Sequence, residues 1–264
     1  MLMCHYDILA EHNSVRSNRL FGQVRAAVHM RRAPTAPTAS GYERGIYMGS
    51  MDTMTLLADS FIGLAEQMPF EKISVSDIVA ASHKNRKTFY YHFEDKDQMV
   101  HWIFRRDIAQ VLEAQADRED LVTDRVADRS PNRLAYYVRK KIGVRSLDGS
   151  VFFQALATCL VQRRSFYAKA LRQTGSTSLA AYLRTLYVPA LEDDIRFILS
   201  NRYLSEANVR FLAEFYVGAL VSFLVEKVCD PTCPDIMGSV RPFDNIIHSS
   251  LESEIKKQQL KQIL

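Results

Sequence analysis

Three cations crowd one short stretch of the chain: Lys84, Arg86 and Lys87 lie within HKNRKTFYYH, residues 83–92, and no carboxylate occurs between residues 78 and 93. Charged donors with no acidic neighbour suit an anion, and a nucleic-acid phosphate above all. The surroundings sharpen the point. From Met51 to Gln98 eight acids outnumber five bases, a net charge of −3, so positive charge is confined to one face of an acidic region. A solvated surface helix would mix the two signs. The whole chain, 264 residues with 34 Lys+Arg against 30 Asp+Glu, carries only +4, too little to argue for nucleic acid by itself.

Other chemistries find little support. The four cysteines, Cys4, Cys159, Cys229 and Cys233, have no histidines at metal-ligand spacing, so no metal, redox or other cofactor is expected. There is no phosphate-binding glycine loop, no G-x-S-x-G elbow and no H-E-x-x-H, so an enzyme is not expected. Widely spread cysteines favour a reduced, cytoplasmic protein. The most apolar run, residues 208–228, contains Arg210, Glu214 and Glu226 and reads as a buried helix rather than a membrane span.

The elements that would position the cations are helical. Ten glycines and eight prolines are few for this length, which disfavours a turn-rich all-β chain. Leu57, Phe61, Leu64, Ala65 and Met68 form one stripe of a helix from Thr53 to Met68, closed by Pro69. Ser74 lies three residues before Asp77, the spacing of a capping box, and opens a short helix from Val75 to Ser82 with Ile78, Val79 and Ala81 inward. Asn85 caps a third helix, Arg86 to Phe93, whose start carries the cations where backbone N–H groups and the dipole favour an anion. A long helix from about Lys96 to Ala116 follows, buried through Met99, Val100, Ile103, Phe104, Ile108, Val111 and Leu112. Two short helices joined by a tight turn between longer ones make a helix-turn-helix.

The segment FEKISVSDIVAASHKNRKTFYYHFEDKDQMVHWIF resembles the TetR/AcrR family of bacterial transcription regulators. That family's third helix and flank read S-R-x-T-[LF]-Y-x-[HY]-F, then a polar residue and Lys. The corresponding positions are Asn85, Arg86, Lys87, Thr88, Phe89, Tyr90, Tyr91, His92, Phe93 and Lys96. Within the family the segment is similar to the branch that includes dihydroxyacetone-kinase operon regulators. His83 stands where the family usually has Gly, so it must accept a left-handed backbone or alter the turn. The resemblance implies that Arg86, Lys87 and Tyr90 face the major groove, with Arg86 on a guanine edge. Lys84, Thr88, Tyr91, His92 and Lys96 would contact phosphates, with Ser76 a weaker candidate, while Phe89 and Phe93 pin the helix to the core.

The domain organisation expected is a disordered extension or mis-assigned start over residues 1–50, a TetR-type head over 51–98, and a helical dimerisation and effector-binding body over 99–264. The extension holds the turn-rich RRAPTAPTASG and six arginines, and Met48, Met51 and Met54 are alternative starts. The fold class is all-α, a three-helix head plus a helical bundle. Residues 117–131 read as a linker. Further helices are expected over 132–144, 150–162, 165–173, 176–201, 205–229 and 242–263, with Pro189 kinking or dividing the fourth. The helix from Ser205 is apolar on several sides and needs partners all round. The last offers the stripe Phe243, Ile246, Ile247, Leu251 and Ile255.

The resemblance implies that these two final helices build a homodimer on a near-palindromic double-stranded operator. It also implies a pocket for a small-molecule effector, with Phe153, Phe166, Tyr167, Tyr182 and Tyr187 as candidate lining, although residue by residue a place in the core is the stronger reading. Arg163, Arg164 and Arg172 would suit an anionic ligand, and solvated arginines account for them equally well. Repression is the commoner outcome in the family, and the dihydroxyacetone branch admits activation. The alternatives are an all-helical protein-interaction module and an activator controlled by a partner protein.

Overall fold

The computed structural model describes residues 40–123, 134–199 and 204–236, with isolated positions at 238, 253 and 257. The chain divides into two units, Met1–Ile46 and Tyr47–Leu264. In the first, residues 40–46 are helical; the rest of the expected N-terminal extension, and the stripe expected over 242–263, lie outside the described residues. The second unit holds the helix-turn-helix and the body.

Eight α-helices are described: α1 Ser40–Gln67, α2 Val75–Ala81, α3 Arg86–His92, α4 Lys96–Gln115, α5 Ser150–Gln162, α6 Arg164–Leu171, α7 Leu179–Leu199 and α8 Glu206–Cys229. The fold is all-α with a helix-turn-helix near its start. α1 begins well before Thr53, where periodicity starts. Within it Leu57, Ala58, Phe61 and Ala65 are fully buried.

The short head helices are held by their ends. Ser74 and Asp77 form the capping box of α2, Ser74 N–H donating to Asp77 Oδ2 at 2.8 Å. At the other end, Lys84 N–H reaches Val79 O at 2.9 Å and His83 N–H reaches Ala80 O at 3.2 Å, a Schellman pair. Such a pair places its middle residue in the left-handed region, and His83 has φ 53°. The turn therefore keeps its geometry and His83 takes the strain. His83→Gly is expected to raise stability by about 0.5–1 kcal/mol, since the left-handed penalty of an L residue outweighs the added freedom of the unfolded glycine. A higher urea midpoint at unchanged slope is the check. Of the residues expected inward on α2, Ile78 and Val79 are buried, whereas Ala81 is exposed on the last turn.

Strands replace one expected helix. Residues 134–144 of the helix expected over 132–144 are not helical: β2 Ala135–Val138 pairs antiparallel with β1 Leu121–Thr123, and β3 Lys140–Gly143 with β4 Ser146–Asp148. Val122 faces Tyr137 and Lys141 faces Leu147 in the two registers. The run AYYV is aromatic and β-branched, and residues of this kind prefer a pleated, half-buried surface to a helix. Part of the linker expected over 117–131 is thus strand β1, and residues 124–133 lie outside the described residues. Pro189 lies inside α7 without dividing it. It is exposed, so water can satisfy the carbonyl that it leaves unbonded.

A principal core runs through α1–α8, and a smaller cluster joins Leu147 to Ile195, Ile198, Leu204, Val209 and Leu212. α8 buries Val209, Leu212, Val217, Leu220 and Leu224 but exposes Phe211 at 62% and Phe215 at 59%, their rings stacked 6.3 Å apart.

Candidate nucleic-acid interface

α3 is a short helix fixed from beneath and capped from behind. Phe89 is fully buried and Phe93 is 2% exposed; their rings lie 5.8 Å apart, and Phe93 packs on Trp102 of α4 at 5.9 Å. Asn85 Oδ1 accepts Thr88 N–H at 2.8 Å and the Thr88 hydroxyl at 3.1 Å, closing the first turn. With the inner face so occupied, the outer face must carry what is left. Lys84, Arg86 and Lys87 are all exposed, and none has a carboxylate partner among the described residues. Tyr90 and Tyr91 are exposed at 52% and 79%. Ser76 is exposed on α2.

The remaining expected contacts are placed less openly. Thr88 is half-buried and tied to the cap. His92 is half-buried, and burial pushes its pKa below the ordinary histidine range, which leaves it neutral at pH 7. Lys96 turns inward: its ammonium donates to Ile73 O at 2.6 Å and lies 3.5 Å from Phe70 O. It ties the Phe70–Lys72 turn to the start of α4, and so sets the angle of α2 against the long helix.

The five aromatic residues expected to line an effector pocket do not converge. Phe166 packs against Phe61 at 5.8 Å and Phe70 at 5.9 Å, joining α6 to the head. The Tyr167 hydroxyl donates to Asp107 Oδ2 at 2.8 Å. Tyr182 stacks on the His101 ring at 4.0 Å and an interplanar angle of 9°. Phe153 and Tyr187 share a cavity with Tyr137, Phe152 and Tyr216, and its volume of about 30 Å³ holds little more than a water. Each of the three arginines has a partner within the protein. Arg163 Nε binds Asp107 at 2.9 Å, Arg164 spans the carbonyls of Lys227, Val228, Asp230 and Cys233 at the end of α8, and Arg172 donates to Cys229 O at 2.8 Å.

Sequence reasoning missed the centre of the body. Asp107, 4% exposed, accepts from Arg106 Nε at 3.0 Å, from Arg163 and from Tyr167, while Arg106 Nη1 reaches Asp59 of α1 at 3.0 Å. A second buried acid, Asp194, takes the Tyr137 hydroxyl at 2.6 Å and Arg139. Proximity to Asp194 adds to burial in pushing the Tyr137 phenol well above its usual range. The signal for Asp107 was helical phase: it lies four residues after Ile103 and three after Phe104, on the buried stripe itself.

Residues 62–103 match the profile described as bacterial regulatory proteins, tetR family. The matched span runs from within α1 through α2 and α3 into α4 and contains Lys84, Arg86 and Lys87. Among curated proteins, the HTH-type dhaKLM operon transcriptional activator DhaS of Lactococcus lactis subsp. lactis (strain IL1403) is 32% identical over 68 residues. These are 26% of this chain and 36% of that protein, so the match spans about a third of the relative's length. Among solved structures, one described as dihydroxyacetone kinase operon activator DhaS aligns at a TM-score of 0.40 with 16% identity, covering 78% of this chain and 96% of that one. Over these segments the matched profile and the curated relative agree with the family and branch that the sequence resembles.

Proposed function

We propose that this TetR-like DNA-binding protein is a sequence-specific transcriptional regulator that works in the cytoplasm as a homodimer on a near-palindromic operator. The exposed, unpaired cluster of Lys84, Arg86 and Lys87 on a helix fixed by Phe89 and Phe93 carries the reading. Arg86, Lys87 and Tyr90 enter the major groove, with Arg86 donating to guanine O6 and N7. Lys84, Thr88, Tyr91, His92 and Ser76 hold the backbone. Lys96 serves the interface at one remove, by positioning α2.

Residues 51–98 act as the DNA head and 99–264 as the dimerising body. Phe211 and Phe215 supply the apolar face of α8 that a second copy covers, giving an isologous interface. The curated relative is named an activator, which supports activation over the repression commoner in the family; where the operator lies relative to the promoter decides between them. Regulation by a small effector belongs to the same reading.

Two measurements test it. Operator affinity should fall steeply with salt: two heads with three cations each give a slope of log K against log[salt] of roughly −5. A slope near −1 would contradict the phosphate roles. In sedimentation at micromolar concentration the chain should run as a dimer. Phe211→Lys combined with Phe215→Lys should run as a monomer and lose operator binding, and a wild-type monomer would overturn the dimer.

A further inference from the structure

A second cleft, of about 410 Å³, opens where the body meets the head, between the 67–71 segment after α1 and Lys169, Arg172 and Gln173 at the end of α6. Its volume is in the range of small-molecule sites, unlike that of the aromatic cavity in the core. The wall on the head side is partly apolar, with Met68, Pro69 and Phe70. The opposite wall is cationic: Lys169 and Arg172 lie one turn apart on one side of α6. Glu71 is the only carboxylate of the lining, and Gln173 Nε2 donates to it at 2.8 Å across the cleft.

The two cations are held but not saturated. The Lys169 ammonium donates to Ala65 O and lies 3.4 Å from Met68 O, at the end of α1, which leaves the third of its protons. Arg172 is exposed and uses Nη2 on Cys229 O, which leaves donors on the rest of its guanidinium. Two cations against one carboxylate leave the cleft a net positive charge.

We propose that this cleft binds a small organic anion, a carboxylate or a phosphate ester, with the charged group between Lys169 and Arg172 and the carbon body over Met68 and Pro69. An anion here competes with the end of α1 for Lys169 and repels Glu71 from Gln173. Both contacts join head to body, so occupancy loosens the head and lowers operator affinity. That last step rests on the regulator reading; binding itself does not, and is measured without DNA.

Calorimetry on the full chain, with glycerol phosphate and malate as probes and glycerol as the uncharged control, should show saturable binding of one anion per chain and none of glycerol. Whichever anion binds identifies the source. Arg172→Gln should weaken binding about tenfold, as expected for a lost charge-assisted hydrogen bond. Glu71→Gln, which removes the repelling charge, should tighten it severalfold, a gain that misfolding cannot imitate. Absence of saturable binding by either anion, or equal affinity in all three proteins, would overturn the site. Anion binding that leaves operator affinity unchanged would overturn the coupling alone.

Discussion

Asp107→Ala is expected to cost about 3–5 kcal/mol of unfolding free energy, a large part of the 5–15 kcal/mol that holds a typical domain folded. Asp107 is 4% exposed and gathers three donors, one each from Arg106, Arg163 and Tyr167. Its removal leaves the Arg106 guanidinium, whose side chain is only 8% exposed, with the half-exposed Asp59 as its remaining acid and with Nε joining Nη2 in lacking a partner among the described residues. A buried charge without its partner is far costlier than the pair was worth. The neighbouring ion pair follows a different rule. Asp59 is 54% exposed at its side chain, so Asp59→Ala should cost well under 1 kcal/mol. Urea unfolding followed by circular dichroism measures both. A loss below about 1 kcal/mol for Asp107→Ala would mean that water reaches the network and that it does not join α1, α4 and α6.

The second large effect is on DNA. Arg86→Ala should cost about 1–3 kcal/mol on the cognate operator, roughly five- to hundredfold in affinity, and distinctly less on random DNA, because a bidentate contact to a base edge is lost only where the base is right. Lys84→Ala is the contrast in the same pair of titrations, since a phosphate contact is lost equally on both sequences. Equal losses for Arg86→Ala on operator and random DNA would remove its base-reading role and leave it a backbone contact.

The head was legible in the sequence because its signals are local. The Ser74–Asp77 spacing, the Asn85 cap, the Phe89–Phe93 pair and the acid-free run around Arg86 each depend on residues within a turn or two, and each appears in the structure as those residues dictate. Even the anomaly at His83 was readable, since only a left-handed residue completes the hydrogen bonds that close α2. Lys96 was not. Its distance in sequence from Phe70 and Ile73 hides a contact that only the folded chain makes.

In the body, function depended on such distant pairings throughout. For Tyr167, Tyr182 and Phe166 the resemblance implied a pocket and their own chemistry a core; in the fold Tyr167 meets Asp107 and the Phe166 ring, Tyr182 stacks on His101, and Phe166 packs on Phe61 and Phe70. Arg163 and Arg164 could be read from sequence as ligand-binding or merely solvated, but the first neutralises a buried acid and the second holds the carbonyl end of α8, while Arg172 spends one nitrogen on Cys229 O. Residues 135–143 misled for a simpler reason. Their aromatic and β-branched content suits a strand, but the runs are too short for alternation to stand out.

Genome-wide mapping of bound DNA in living cells, comparing the natural chain with one carrying Lys84→Ala, Arg86→Ala and Lys87→Ala together, tests the central claim most directly. A regulator reading DNA through α3 should give a small set of sharp, near-palindromic sites that vanish in the triple variant while its fold and dimer persist. The same sites in both proteins, or none in either, would contradict it.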